Sequence, residues 1–76
     1  MEEKILEILA EVCEDDVVKE DLDISLFDND LLDSLSFVEL LVEFEEKLNI
    51  VVSPSEVTRE DMDTPNKIIN LLKTRS

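Results

Sequence analysis

The stretch Leu31-Leu32-Asp33-Ser34-Leu35 decides the fold, because it ends a long connection and opens the most apolar helical segment of the chain. Asp33 stands where a helix N-cap is expected, since its carboxylate can accept a hydrogen bond from a first-turn N–H group. The segment Ser36–Glu39 offers a second capping-box register close by. We therefore predict a helix from about Leu35 to Leu48. Ser34 then lies at the positive end of the helix dipole, where a phosphate ester is favoured.

This predicted helix has too many apolar residues for one buried face. At about 100° per residue, one set falls on a single arc that suits a core face. This set comprises Phe37, Leu40, Leu41, Phe44 and Leu48. A second set, made up of Leu35, Val38 and Val42, falls outside that arc and is interleaved with Glu39, Glu45 and Glu46.

The second set has two interpretations. Isolated apolar residues on a surface are common and need no function. A group of them beside Ser34, apolar in the middle and acidic at the rim, also fits a small protein-docking surface.

Length and charge limit the function of the chain. A chain of 76 residues makes one domain, residues 1–76, and it buries only about 60% of its unfolded surface. The formal net charge of −14 argues against nucleic acid as a partner, because a basic patch is what releases counterions from phosphates. The charge favours partners with basic protein surfaces instead.

The residue types argue against an enzyme. The sequence has no histidine, which removes the usual general base and metal ligand. Its one cysteine, Cys13, allows no internal disulfide and lies on the apolar side of the first predicted helix, as a small core residue does. No apolar run has the length of a membrane span and no signal peptide opens the chain, so we expect a cytoplasmic protein that does not insert into membranes.

The remaining pattern predicts an all-α bundle of three longer helices and one short helix, with a long loop between helices 1 and 2. The first helix covers about Glu3 to Glu14, and the loop runs from Val17 to Asp33. We expect this loop to cross the helices and to place Leu26 and Phe27 in the core.

The second half of the chain contains several turn signals. Because the sequence has no glycine, Asn49 is the best candidate for a left-handed helix cap. We predict that Ile50–Val52 forms an extended strap. We also predict that Ser55 caps a short third helix that reaches about Glu60. Thr64-Pro65 predicts the start of the last helix.

The acidic segment Asp28-Asn29-Asp30 also raises the possibility of a calcium loop. An EF-hand needs an oxygen ligand and then a glycine at the places that Leu32 and Asp33 occupy here. We therefore do not predict a metal site.

The segments Asp33-Ser34-Leu35 and Val38-Glu39-Leu40 resemble the attachment motif D-S-L-x-x-V-E-L of the acyl and peptidyl carrier proteins. Within that superfamily the chain is most similar to the D-alanyl carrier family. Further segments that carry this likeness are Leu9-Ala10-Glu11-Val12-Cys13, Asp15-Asp16-x-Val18-Lys19-Glu20 and Thr64-Pro65-Asn66-x-Ile68. Carriers of fatty acids usually have aspartate where Ser36 stands and lack the Thr-Pro-Asn segment.

The resemblance implies a carrier function for the chain. A phosphopantetheinyl transferase, which uses coenzyme A and Mg²⁺, is expected to attach 4′-phosphopantetheine to Ser34, with Asp33 in a supporting role. An ATP-dependent D-alanine–carrier ligase would load D-alanine as a thioester, and membrane-bound acyltransferase machinery would pass it to lipoteichoic or wall teichoic acid. The side chains that would bind in grooves of these partners are Leu35, Val38 and Val42. The charges that would steer association with basic partner surfaces are Glu39, Glu45 and Glu46.

Three points stay open from the residues alone. The arm could carry another acyl or aminoacyl group, because partner enzymes choose the cargo. An acidic helical adaptor that is never modified is the alternative from a different functional class. We expect a monomer as the default state.

Overall fold

The structure, a computed structural model, describes residues 2–58 and 60–75, and it holds helices and loops without β-strands in that part of the chain. Its helices in order are α1 (Glu2–Cys13), α2 (Val17–Glu20), α3 (Ser34–Leu48), a 3-10 helix (Glu60–Met62) and α4 (Pro65–Arg75). α1 contacts α2, α3 and α4, and the 3-10 helix packs against α4. The predicted all-α bundle is therefore confirmed. None of the helices described combines the length and apolar character that a membrane span requires.

The core lies where the three longer helices meet. Each of them contributes side chains that are fully removed from solvent, namely Ile5, Leu9, Leu40, Phe44, Ile68 and Leu72. Full burial of one such side chain stabilises the fold by roughly 1.5–3 kcal/mol. Of the predicted core face of α3, Leu48 alone is only partly buried.

The connection before α3 is held to the core at several points. Leu26 and Leu32 are buried, and the Leu26 carbonyl accepts hydrogen bonds from the N–H groups of Leu31 at 2.9 Å and Leu32 at 3.1 Å. The Phe27 ring lies 6.0 Å from the Phe37 ring of α3 and is partly buried. The expectation that both residues lie in the core is confirmed for Leu26, whereas Phe27 packs against the core and is only partly buried.

The predicted loop differs from the structure at its beginning, where Val17–Glu20 forms the helix α2. The Asp15 carboxylate accepts a hydrogen bond from the Val17 N–H at 3.0 Å, and Val18 is fully buried. A capped turn with a buried side chain is stable here although four residues are too few for a helix signal in the sequence.

The short helix after Pro54 was predicted in the wrong place. The prediction from Ser55 to about Glu60 included Arg59, which lies outside the described residues; the structure has a 3-10 helix at Glu60–Met62 instead. Thr58 and Asp61 cap this turn reciprocally, because the Thr58 N–H donates to Asp61 at 3.0 Å and the Asp61 N–H donates to the Thr58 hydroxyl at 3.3 Å. The capping box formed by Thr58 and Asp61 favours a helix at this position over one that begins at Ser55. Met62, the last residue of the 3-10 helix, is fully buried.

Two other end signals behaved as expected. Asn49 takes a left-handed conformation (φ 58°, ψ 28°), and its N–H donates to the Glu45 carbonyl at 3.1 Å. The Thr64 hydroxyl accepts a hydrogen bond from the Lys67 N–H at 3.2 Å, which caps α4. Between them, Ile50 and Val52 are buried while Val51 is exposed, as in an extended strap.

The left-handed residue after α3 generates a stability prediction. Asn49→Val is expected to lower the free energy of unfolding by about 1–2 kcal/mol, because a side chain with a branched Cβ clashes in this conformation. Asn49→Gly is expected to change it by less than about 1 kcal/mol, since glycine reaches positive φ without strain. Urea denaturation followed by circular dichroism measures both. Asn70→Val, the same change at an exposed position inside α4, is the matched control; a loss as large there as at Asn49 would contradict the conformational explanation.

Candidate functional site

Ser34 is the first residue of α3, and its side chain is exposed to solvent. Its position follows from the segment before it, in which Leu32 is buried and bonded to the Leu26 carbonyl. Burial of Leu32 followed by the helix start brings the chain back to the surface at Asp33 and Ser34. The serine hydroxyl therefore lies within reach of a second protein.

Asp33 is the N-cap of α3, as predicted. Its extended backbone (φ −126°, ψ −174°) lets the carboxylate accept a hydrogen bond from the Ser36 N–H at 2.8 Å, while its carbonyl accepts the Phe37 N–H at 2.8 Å. The alternative register that starts at Ser36 is not the one used. Hydrogen bonds from the Ser36 backbone and then from its side chain hold the pKa of the Asp33 carboxyl below its ordinary value.

The first turn of α3 suits an anion. The N–H groups of a first helical turn have no partner within the helix, and the dipole adds a partial positive charge there. Residues 20–46 contain no lysine, arginine or histidine, so no cationic side chain from this stretch competes for an anion at Ser34. A phosphate ester on the Ser34 oxygen would gain from the backbone alone.

The carboxylate that precedes Ser34 in the sequence is poorly suited to act as a base for its hydroxyl. The nearest carboxylate in sequence, Asp33, is a weak base because its pKa is lowered.

An apolar patch begins next to Ser34. Leu35 is 72% exposed, Val38 42% and Val42 44%, while Phe37, Leu40 and Phe44 of the same helix are buried. The two faces predicted for this helix are thus confirmed, with the second one at the surface. Leu35, Val38 and Val42 are together the exposed α3 patch.

The predicted acidic residues divide around this patch. Glu39, Glu45 and Glu46 are all exposed. At about 100° per residue, Glu39 and Glu46 fall beside Leu35 and Val42, whereas Glu45 falls on the other side, next to Val38. The three glutamates flank the patch on both sides rather than forming one cluster.

Glu43 was not singled out in the sequence, and the structure gives it a role. Its carboxylate lies 3.0 Å from the Lys47 ammonium, one helical turn along α3, and Glu11 of α1 lies 2.9 Å from the same ammonium. The Glu43–Lys47 spacing is a recognisable helical pair. The contact with Glu11 has no such signal, because it depends on how α1 packs on α3.

Two other features do not contribute chemistry. Cys13 is half-buried, and burial followed by the charge of Asp15 raises the pKa of its thiol to about 11, so it stays protonated at neutral pH. In the acidic segment after Phe27, the Asn29 side chain donates to the Ser25 carbonyl at 2.7 Å. Within residues 2–58 and 60–75, no three potential metal-ligating side chains come together as a metal site.

The Asp33 cap generates a prediction about stability and pH. Asp33→Ala is expected to lower the melting temperature by several degrees, because the Ser36 N–H loses its partner, whereas Asp33→Asn retains an acceptor and loses less. A lowered pKa means that the carboxylate stabilises the fold fully above its ordinary value of 3.8 and loses this effect only as the pH falls through the folded value. The difference between wild type and Asp33→Ala is thus constant between about pH 8 and 5 in thermal melts. It is expected to narrow as the pH falls below about 4, and a difference that stays constant down to about pH 2 would show that the pKa is not lowered.

Comparison with known proteins places these features in a family. Residues 3–72 match the family model described as "Phosphopantetheine attachment site". The chain is 53% identical to the D-alanyl carrier protein of Abiotrophia defectiva over 75 residues, which cover 99% of this chain and 95% of that protein. It is 52% identical to the D-alanyl carrier proteins of Bacillus cereus and Bacillus anthracis over 71 residues, or 93% of this chain and 90% of each. The chain therefore belongs to the D-alanyl carrier protein family and contains a phosphopantetheine attachment domain.

Proposed function

We propose that Ser34 holds the 4′-phosphopantetheine of this carrier and that the cargo on its arm is D-alanine. As a member of its family, the chain is a carrier with a covalent 4′-phosphopantetheine and not itself an enzyme. When bound, this group supplies a thiol on a flexible arm, to which an acyl group can be joined as a thioester. The observation that carries the choice of residue is the exposed Ser34 at the first turn of α3.

Three hydroxyl groups elsewhere in the chain hold parts of the fold together. Ser25 donates to both oxygens of the Asp63 carboxylate, at 2.9 and 3.0 Å, in a partly buried position. The hydroxyls of Thr58 and Thr64 cap the 3-10 helix and α4. Ser34 is exposed at the first turn of α3, where an ester on its oxygen would lie against the positive end of the helix.

The residues around Ser34 fit the group in three respects. The side chain is exposed, the dipole of α3 favours an anion at its first turn, and Leu32 anchors the backbone immediately before the site. Attachment forms a bond between the Ser34 oxygen and phosphorus; the hydroxyl proton passes to a base of the transferase, and adenosine 3′,5′-bisphosphate leaves from coenzyme A. Asp33 supports this reaction by fixing the helix start, and its carboxylate is close enough in sequence to help orient a metal ion of the transferase.

The name D-alanyl carrier protein, which the relatives bear, supports D-alanine as the cargo, and the later partners are part of this proposal. An ATP-dependent D-alanine–carrier ligase loads the arm, and membrane-bound acyltransferase machinery receives the D-alanine for lipoteichoic or wall teichoic acid. The exposed α3 patch contacts these partners, with Glu39, Glu45 and Glu46 as steering charges. We place this exchange in the cytoplasm, with residues 1–76 acting as one monomeric carrier domain.

A small surface suits this task. A carrier must leave each enzyme after every transfer, so it needs contacts that form quickly and do not last. The patch has three apolar side chains within an acidic surround, and the protein has a net charge of −14. Long-range attraction to basic partners raises the association rate without requiring a large buried area.

The attachment residue is tested by Ser34→Ala. After incubation with coenzyme A, Mg²⁺ and a phosphopantetheinyl transferase, the wild type is expected to gain the mass of one phosphopantetheine, and the variant none. Intact-mass spectrometry measures this, and an unchanged circular dichroism melt shows that the variant folds. Ser36→Ala, two residues further along the same turn, is the matched control and is expected to be modified. Modification of Ser34→Ala would refute the assignment.

The cargo is tested with the modified wild type. With ATP and the D-alanine ligase of a D-alanyl carrier system, the protein is expected to gain the mass of one alanine when D-alanine is supplied, and to lose it on treatment with hydroxylamine, which cleaves thioesters. L-Alanine and a fatty acid with its own ligase serve as competing cargoes. Preferential loading of either would favour a different carrier function. A wild type that is never modified by the transferase would favour the unmodified adaptor.

A further inference from the structure

The connection between α2 and α3 runs from residue 21 to residue 33 through turns and bends. Long connections are more mobile than helices unless contacts with the rest of the domain hold them. Ser34 follows this connection directly, so a motion of the connection also moves the serine relative to the core. The contacts that restrain the connection therefore bear on how Ser34 is presented to another protein.

Asp63, which follows the 3-10 helix, contacts this connection through both its side chain and its backbone. The Ser25 hydroxyl donates to the two carboxylate oxygens of Asp63 at 2.9 and 3.0 Å, in a partly buried position. The Leu26 N–H donates to the Asp63 carbonyl at 2.6 Å. Because Ser25 and Asp63 are 38 positions apart, the contact joins two distant parts of the chain.

Asn66, in the first turn of α4, holds the same connection at a second place. Its backbone N–H donates to the Leu22 carbonyl at 3.0 Å, and its side-chain amide donates to the Asp23 carboxylate at 2.9 Å. Asn66 belongs to the Thr64-Pro65-Asn66 segment, which carries part of the likeness to the family. The contact with Asp23 is exposed, so water weakens it more than it weakens the partly buried contact of Asp63.

The backbone at Asp63 is itself fixed by its neighbours. Met62 before it and Pro65 after it are fully buried, and the Thr64 hydroxyl caps α4. An acceptor on a fixed backbone restrains its partner more than an acceptor on a mobile loop, because less conformational freedom remains to the pair. Asp63 can therefore set the position of the connection relative to α4.

The restraint at Leu26 extends along the chain to Ser34. The Leu26 carbonyl accepts the N–H groups of Leu31 at 2.9 Å and Leu32 at 3.1 Å. Leu32 is buried two residues before Ser34. Without its contact with Asp63, the connection could open locally while the helical core stays folded. Such an opening would change where the backbone before Ser34 lies.

We propose that Asp63 is a positioning residue for attachment of the arm: together with Ser25 it holds the connection on α4, and the held connection presents Ser34 to the transferase. Asp63 takes no part in the chemistry. A molecule whose connection has opened must close before it binds productively, so the apparent KM for the carrier rises as the held fraction falls. The value of kcat stays unchanged, because every productively bound carrier has the connection held. This inference rests on the proposed function of Ser34.

The experiment uses the full chain and compares Asp63→Ala with three other variants. Asp63→Asn keeps an oxygen that can accept the Ser25 hydroxyl, so it tests rescue by a conservative change. Asp61→Ala is the matched control, because it also removes a carboxylate that accepts a hydrogen bond, but one from the Thr58 N–H within the same turn, at 3.0 Å. Ser25→Ala breaks the proposed contact from the other side and replaces Asp63→Ala if that variant does not fold.

Amide hydrogen exchange measured by NMR reports directly whether Asp63 holds the connection. Asp63→Ala and Ser25→Ala are expected to speed exchange at the N–H groups of Leu26 and Leu32 roughly three- to tenfold, as the loss of one hydrogen bond would. Asp63→Asn and Asp61→Ala are expected to leave these two rates within about twofold of the wild type. Equal acceleration by Asp63→Ala and Asp61→Ala, or no rescue by Asp63→Asn, would overturn the proposal.

Rates of arm transfer from coenzyme A report the positioning of Ser34, when one transferase is used well below the melting temperature of each variant. Asp63→Ala is expected to raise KM roughly two- to fivefold with kcat unchanged, whereas Asp61→Ala keeps the KM of the wild type. A residue that only stabilises the fold would change neither constant at this temperature. Faster exchange with an unchanged KM, or a fall in kcat alone, would contradict a positioning role.

These outcomes are separate from the test of the carrier function. If wild-type protein is not modified at Ser34, the proposed function fails and this inference fails with it. If the wild type and Asp63→Ala are modified at Ser34 with the same KM, the carrier function stands and Asp63 is not a positioning residue.

Discussion

Two buried leucines, Leu26 and Leu32, hold the long connection against the helical core, and the position of Ser34 depends on them. The Leu26 carbonyl accepts the N–H groups of Leu31 and Leu32, and the Leu26 N–H donates to the Asp63 carbonyl at 2.6 Å, just before α4. The hydrophobic burial supplies the free energy, while the hydrogen bonds satisfy backbone groups that burial would otherwise leave without partners. A small domain with a high net charge therefore still presents Ser34 at a defined place.

α3 has to serve two purposes at once, and its sequence shows this. One face carries Phe37, Leu40 and Phe44 into the core, and the other leaves Leu35 and Val42 in water. Exposing apolar side chains gives up burial free energy that a chain of 76 residues could use. In the proposed function, these exposed residues contact the enzymes that bind the carrier, and the surrounding carboxylates attract basic partners.

The chain has no glycine, and its turns are built accordingly. Glu14, Asp30 and Asn49 take positive φ values of 56°, 57° and 58°, a conformation that glycine adopts most easily. Asn49 was predictable because asparagine tolerates this region and stands directly after the helical periodicity. Glu14 was not predictable in this way, since glutamate has no such preference and takes the conformation where α1 must stop and turn towards α2.

Local signals in the sequence determined the helix content, the ends of α3 and α4, the two faces of α3 and the motif around Ser34. These depend on residues within a few positions of one another: Asp33 reaches the N–H of Ser36, Thr64 reaches the N–H of Lys67, and the two faces follow from helical spacing. Only the tertiary structure decided that Val17–Glu20 coils into α2, that the short helix begins at Glu60, and that Asp63 contacts the connection before α3. Those features depend on which side chains the core buries and on contacts between residues far apart in the chain, such as Glu11 with Lys47, for which sequence spacing carries no signal.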